Sequence, residues 1–187
     1  MLHHAPLLLP FALFIGCATE GPRDVVDVPR DRYPAGPFGT AEGDVVRNHV
    51  FTQPDGASLA LQEVRADVDA QLLLLVTAAE WCTACIEEQP ELQQLHQRHG
   101  AGGLRIVVGV FEDAEFTPAT AADAAQWQRD HGLSFPVVAD PQFELRDYYD
   151  AALSPMNMVV RLGPMTIERV TTGRDPLLLE SLIEALL

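Results

Sequence analysis

The chain has 187 residues, and its 12 basic residues, all of them arginine, stand against 27 acidic residues, which gives a formal net charge of −15. Such an excess of negative charge repels phosphate backbones and acidic lipid headgroups, so nucleic-acid binding and polybasic membrane attachment are excluded as leading functions. With 48% hydrophobic residues, a chain of this length can bury the core of one domain.

An uncharged apolar run covers residues 5–16 near the N-terminus. A helix that spans a bilayer needs about 20 apolar residues, whereas this run is shorter and contains Pro10. Its length is typical of the hydrophobic region of a secretory signal peptide. We therefore expect the protein to be exported.

The run leads into a pattern that resembles a bacterial lipobox, formed by Phe14, Ile15, Gly16 and Cys17. In a lipobox the cysteine is lipidated, so Cys17 is the predicted lipidation site and residues 1–17 are the predicted signal peptide. Lipidation would anchor the protein on the periplasmic side of a bacterial membrane, and Ala18 after the cysteine favours the outer membrane. The alternative is cleavage after Ala18, which would remove Cys17 and release the protein into the periplasm.

Residues 18–44 are rich in proline, glycine and charged residues and show no apolar period of 2 or 3.6. This composition predicts a flexible tether that would hold the folded part on the order of 30 Å from an anchor.

Beyond residue 44, strand and helix patterns alternate. The predicted strands cover residues 45–52, 58–61, 72–76, 104–110, 136–139, 156–162 and 166–170. The predicted helices cover residues 86–99, 120–132, 142–149 and 175–187. A turn at residues 54–56 joins the first two strands into an N-terminal hairpin. The alternation predicts a single α/β domain, residues 45–187, with a mixed central sheet flanked by helices.

Once Cys17 is set aside, the folded part has two cysteines, Cys82 and Cys85, spaced as C-x-x-C. An exported protein meets an oxidising compartment, where cysteines usually form structural disulfides. A disulfide across two intervening residues constrains the unfolded chain very little, however. The spacing therefore favours a disulfide that opens and closes.

The cysteines stand where a predicted strand ends and a helix begins. Free amides and the helix dipole favour an anion at such a position, so Cys82 is the predicted attacking thiolate. Cys85 lies one turn deeper on the same helical face and could attack a mixed disulfide formed on Cys82. These steps are those of a thiol-disulfide exchange catalyst.

The region from residue 45 to the end resembles thioredoxin-fold proteins of the TlpA/ResA type, which are exported or membrane-tethered thiol-disulfide oxidoreductases. The matching residues are Trp81, Cys82, Cys85, Glu88, Pro90 and Pro155. The resemblance implies a cis peptide bond at Pro155, in a loop that faces Cys82 and binds substrate together with Ser154 and Trp81. It also implies disulfide-bearing exported proteins as substrates, apo-cytochrome c among them, and an electron donor that the sequence does not identify. No cofactor is implied.

The resemblance also suggests a role for Glu88, which lies three residues after Cys85 and so on the same helical face. A carboxylate there could relay the proton of the buried thiol. Val76 stands where thioredoxins carry a buried acid, so that relay is missing here. The alternative for Glu88 is an ordinary solvated carboxylate.

The local charge predicts the direction of electron transfer. Thr83 and Ala84, between the cysteines, supply no cation, whereas Glu80, Glu87 and Glu88 surround the pair. This field opposes the thiolate and should raise the pKa of Cys82, which makes the disulfide more stable and the couple more reducing. We therefore predict a reductant rather than an oxidant.

A second function class stays open at this stage. The domain could be a non-catalytic binding module with a static Cys82–Cys85 disulfide, and a copper chaperone of the same fold is a weaker possibility. A zinc site that includes His96 and His99 is excluded because a helix would hold them about 16 Å from the cysteines. Haem attachment is excluded because Ile86 stands where C-x-x-C-H requires histidine. We assign no metal site and give no role to the two remaining histidines of the domain, His49 and His131.

Overall fold

A computed structural model describes Met1 and residues 29–187 of the chain. The predicted signal peptide, the lipidation site at Cys17 and the first part of the predicted tether lie outside the described residues. None of the helices in the described part is long and apolar enough to cross a bilayer.

Seven strands and four α-helices make up the domain. The strands are β1 (Val50–Thr52), β2 (Ser58–Ala60), β3 (Leu72–Ala79), β4 (Leu104–Glu112), β5 (Val137–Ala139), β6 (Met156–Arg161) and β7 (Thr166–Thr172). The helices are α1 (Leu61–Arg65), α2 (Thr83–His99), α3 (Ala121–Asp130) and α4 (Pro176–Leu186). Three short 3₁₀ turns cover Gly100–Gly102, Arg146–Tyr148 and Ala151–Leu153.

The strands form one mixed sheet in the order β2-β1-β5-β4-β3-β6-β7. The central strands β3, β4 and β5 run parallel, and the outer pairs run antiparallel. Every residue of β3 is buried, because its side chains enter two cores in alternation. Leu74 and Val76 point to the face of the sheet that α2, α3 and α4 cover, whereas Leu73 and Leu75 belong to the core on the opposite face of the sheet. This architecture confirms the predicted thioredoxin-like fold class.

The second part of the predicted tether is not a free linker in the structure. Residues 29–44 pack on the domain, largely through backbone groups: Gly43 N donates to Ile167 O at 2.8 Å, and the Tyr33 hydroxyl donates to Val46 O at 3.0 Å. The buried guanidinium of Arg65 donates to the carbonyls of Pro29 and Arg32. Such contacts leave no apolar period in the sequence, so composition alone indicated a linker.

Several predicted elements differ from the structure. The predicted strand 45–52 is formed only at Val50–Thr52, and the predicted helix 86–99 begins earlier, at Thr83. The predicted helix 142–149 is wrong, since only Arg146–Tyr148 forms a 3₁₀ turn, and Phe143 has a positive φ of 50° that interrupts a helix. The predicted strand 58–61 ends at Ala60, where the short helix α1 begins. The capping box at Thr120 and Asp123 is confirmed as the start of α3.

Candidate active site

The two cysteines lie at the junction between the buried strand β3 and the helix α2. Cys82 is the N-cap of α2, and its Sγ forms a disulfide with Cys85 in the first turn, with 5.2 Å between their Cα atoms. Cys82 is 5% exposed and Cys85 is fully buried. Of the two sulfurs, that of Cys82 is therefore the one that a partner can reach, and Cys85 is placed to attack from within.

The charges around Cys82 have opposing effects on a thiolate. The backbone amide of Cys85 donates to Cys82 Sγ at 3.1 Å, and this contact favours the anion. Glu80 acts in the opposite direction as one of a group of carboxylates: burial raises its pKa, and Asp123 and Asp113 raise it further. Glu87 has a weaker influence because its carboxylate faces the Arg174 guanidinium at 3.9 Å.

The predicted cis proline is present. The Ser154–Pro155 peptide bond is cis and precedes β6, the antiparallel neighbour of β3. The loop therefore lies beside the carboxyl end of β3, which Cys82 follows. The amide and the hydroxyl of Ser154 both donate to the Ala151 carbonyl, at 3.2 and 2.8 Å. The Ser154 side chain is thus held by its own loop, and a role in binding substrate would fall to its backbone carbonyl.

Glu88 lies in the interior, one helical turn beyond Cys85. It is 2% exposed, and its Oε1 accepts a hydrogen bond from Asn157 Nδ2 at 2.8 Å, whereas Oε2 has no partner among the described residues. Burial raises the pKa of Glu88 to about 7, although the Asn157 hydrogen bond opposes this. Glu88 is therefore not an ordinary solvated carboxylate: it can gain or lose a proton near neutral pH.

Asn157, the partner of Glu88, was missed by sequence reasoning. It lies on β6 in register with Val76, the position where thioredoxins carry a buried acid. The available signal was a single amide in the otherwise apolar strand pattern at residues 156–160. A buried polar residue in such a strand needs a hydrogen-bonding partner, which identifies it as a candidate.

Aromatic side chains form one wall of the site. Trp81 donates from Nε1 to Glu112 Oε2 at 2.8 Å, stacks on Phe116 at 5.5 Å and meets Phe111 edge-on at 6.1 Å. Phe116 is 66% exposed and has a positive φ of 61° in the loop between β4 and α3. The indole is therefore fixed next to the cysteines, as expected of a residue that shields them.

The histidines of the C-terminal half of α2 lie away from this site. His99 is at the opposite end of α2 from the cysteines, near Glu180 and Glu184 of α4, and Glu180 already pairs with Arg98 at 2.7 Å. His49 is buried between Glu144 and the Tyr148 hydroxyl, at 3.0 and 2.9 Å.

Comparisons with known proteins agree with this geometry. The chain is 22% identical over 142 residues to the thiol-disulfide oxidoreductase ResA of Halalkalibacterium halodurans, covering 76% of this chain and 75% of that protein. The solved thioredoxin domain of a thiol-disulfide oxidoreductase from Bacteroides vulgatus superimposes with a TM-score of 0.60 at 16% identity, covering 79% of this chain and 98% of that chain.

A secreted disulfide oxidoreductase from Mycobacterium tuberculosis, described as homologous to DsbE of E. coli, superimposes with a TM-score of 0.54 at 17% identity, covering 74% of this chain and 96% of that chain. At such identities these structures establish the fold. The sequence profile of the AhpC/TSA family matches residues 43–171, which is well over half of the chain and contains the cysteines, Glu88 and the cis proline. On this evidence the chain belongs to the AhpC/TSA family.

Proposed function

We propose that the protein is an exported thiol-disulfide oxidoreductase that donates electrons to the disulfides of other proteins. The observation that carries the proposal is the arrangement of the cysteines. Cys82 is accessible at a helix N-terminus, Cys85 is buried one turn deeper, and the cis proline loop lies at the same end of the sheet. The names of the ResA relatives support the same activity.

The reaction proceeds in two exchanges. The Cys82 thiolate of the reduced protein attacks one sulfur of a substrate disulfide, so that a mixed disulfide forms and one substrate thiolate leaves. The thiol of Cys85 loses its proton, which Glu88 assists, and the resulting thiolate attacks Cys82 Sγ. This step releases the second substrate thiolate and leaves the Cys82–Cys85 disulfide. Two electrons have then passed to the substrate, and a donor dithiol must reduce the protein again.

The charges near Cys82 support the reducing direction. The carboxylates around Glu80 disfavour a thiolate, and a less stable thiolate corresponds to a more stable disulfide. The substrates in this proposal are exported proteins with disulfides, apo-cytochrome c among them. The backbone of the Pro155 loop, together with Trp81, would hold the substrate segment.

Export and attachment belong to the same proposal. Cys17 would carry the lipid and anchor the domain at the periplasmic side of the outer membrane, with residues 18–28 as the remaining linker. Mass spectrometry of the native protein would test this: an acylated N-terminal Cys17 supports the anchor, whereas a mature chain that begins after Cys17 supports release into the periplasm. A Cys17→Ala variant should lose membrane association.

The catalytic proposal is tested by turnover and by trapping. Reduced wild-type protein should reduce the disulfides of insulin, and Cys85→Ser should accumulate mixed disulfides through Cys82. Cys82→Ser should do neither. If no partner is trapped and Cys82→Ser leaves the cellular function unchanged, the protein is instead a binding module with a static disulfide.

A further inference from the structure

A chain of hydrogen-bonded hydroxyl groups links the residues on either side of the cis peptide bond. The reaction described above does not use these hydroxyl groups. Thr77 lies on β3, and Tyr149 lies between two 3₁₀ turns, 72 positions away in sequence. Thr77 Oγ1 donates to the Tyr149 hydroxyl at 2.9 Å, and that hydroxyl is 3.1 Å from Ser154 Oγ. Thr77 Oγ1 also accepts a hydrogen bond from the amide of Met156 at 3.0 Å.

The direction of this chain follows from its two ends. The Met156 amide can only donate, so Thr77 Oγ1 accepts there, and its own proton is directed at the Tyr149 hydroxyl. The Ser154 hydroxyl gives its proton to the Ala151 carbonyl at 2.8 Å, and it must therefore accept from Tyr149. Each hydroxyl accepts once and donates once, and bonds of this kind strengthen one another. The chain thus connects the residues on both sides of the cis proline.

Tyr149 is well suited to this position. Burial raises the pKa of its phenol, so the hydroxyl keeps the proton that it donates to Ser154. Its ring meets Phe143 edge-on at 6.0 Å, and Phe143 stacks on Phe111 at 4.2 Å. Phe111 in turn contacts Trp81, so the loop and the wall of the active site share one set of packed rings.

We propose that Tyr149 and Thr77 are positioning residues, which hold the cis proline loop in the conformation that presents its backbone to a substrate protein beside Cys82. The assignment rests on the proposed function. When the hydrogen-bond chain is broken, the loop populates other conformations, and the apparent affinity for a protein substrate falls with the competent fraction. The chemistry of the Cys82 sulfur does not depend on the loop, so reaction with a very small disulfide should not change.

The test compares two substrates of Tyr149→Phe. For insulin, the variant should show a KM about tenfold higher with little change in kcat, as expected for the loss of one buried hydrogen bond in the loop. For bis(2-hydroxyethyl) disulfide, its rate should stay within about twofold of wild type. Tyr148→Phe is the matched control, because its hydroxyl bonds His49 Nε2 at 2.9 Å and is not part of the chain that reaches Ser154. The control should behave as wild type with both substrates.

A second pair of variants decides the question if Tyr149→Phe does not fold. Thr77→Val removes the hydroxyl and should reproduce the insulin-specific defect, whereas Thr77→Ser keeps it and should restore the wild-type KM. The assignment would be overturned if Tyr149→Phe lost the same fraction of its activity with insulin and with bis(2-hydroxyethyl) disulfide. It would also be overturned if Tyr149→Phe had the same KM for insulin as Tyr148→Phe. A wild-type protein that reduces neither disulfide would overturn the proposed function, and the assignment with it.

Discussion

Two buried charged side chains, Arg65 beside residues 29–44 and Glu88 one helical turn beyond Cys85, differ in how fully they are hydrogen-bonded. Arg65 is 0% exposed, and its guanidinium donates to the carbonyls of Gly163, Arg32 and Pro29 at 3.0, 2.7 and 2.9 Å. Glu88 is almost as buried, yet one of its oxygens has no partner among the described residues. A fully bonded charge anchors structure, whereas an incompletely bonded one is free to titrate.

The largest effect on stability is expected from Arg65→Met. The substitution removes the donor of three partly buried hydrogen bonds to carbonyls, and at about 1 kcal/mol each the free energy of unfolding should fall by roughly 3 kcal/mol. Arg32→Met is the control, since its exposed side chain should contribute less than about 0.5 kcal/mol. Urea unfolding measures both. An Arg65→Met variant as stable as Arg32→Met would contradict the structural role of Arg65. A folded Arg65→Met variant without disulfide exchange activity would show that its role is not structural alone.

Glu88→Gln should have the opposite effects to Arg65→Met: it should stabilise the protein at high pH and slow disulfide exchange. The folded-state pKa of Glu88 is raised from 4.5 to about 7, so the folded protein binds more protons than the unfolded chain between these values. Wild-type stability should therefore fall by roughly 2 to 3 kcal/mol as the pH rises through this window and then level off.

The variant should lose the part of this decline that Glu88 contributes, whereas the buried Asp140, whose pKa burial raises to about 6, keeps its own part. The variant should be the more stable protein at pH 8, but it should resolve mixed disulfides more slowly. Unfolding at pH 5 and pH 8 measures the first effect, and stopped-flow release of substrate thiol measures the second. Glu87→Gln, an exposed neighbour, is the control and should change neither. A Glu88→Gln variant that keeps the wild-type slope would show that the carboxyl does not titrate in this range.

Asn157→Ala sharpens the same point with a smaller effect. The Asn157 hydrogen bond lowers the pKa of Glu88, so its removal should raise that pKa further and shift the pH profile of turnover upwards by about one unit. Asn48→Ala is the matched control: the Asn48 side chain also makes a hydrogen bond, with the amide of Gln62, but it lies beside α1. If the pH profile of turnover were unchanged in Asn157→Ala, the pH dependence of turnover would not arise from Glu88.

The smallest effect is expected at Phe116, which is mostly exposed. Phe116→Ala removes the stacked ring from Trp81 and should cost less than about 1 kcal/mol of stability. The indole should become more accessible to acrylamide, as measured by fluorescence quenching in a Trp127→Phe background. Leu177→Ala, an exposed residue of α4, is the control. Unchanged quenching would show that Phe116 does not cover the indole.

The parts of the fold that sequence could predict are those encoded locally. The continuous apolar run at residues 72–76 predicted β3, and its position before C-x-x-C placed the cysteines at a helix start. Asp175 and Pro176 likewise predicted the beginning of α4, where Asp175 caps the helix. These signals need only neighbouring residues, because burial, capping and helix geometry each act over one or two turns.

The parts that sequence could not predict depend on distant partners. Glu88 meets Asn157 across 69 positions, and Arg65 meets Pro29 across 36. Thr77 and Tyr149 had no local reason to be singled out, since their hydroxyls acquire a role only when β3 lies beside the proline loop. The family resemblance supplied Glu88 and the cis proline, but the groups that hold them became visible only in the folded chain.

The central claim is that the Cys82–Cys85 disulfide opens and closes reversibly as a reducing couple. Equilibration of the folded protein with thiol redox buffers, followed by alkylation and mass spectrometry, measures this directly. We expect complete and reversible conversion with a midpoint potential below about −220 mV, closer to the value of thioredoxin than to that of protein disulfide isomerase. A disulfide that stays closed in the folded protein under excess dithiothreitol would contradict the account.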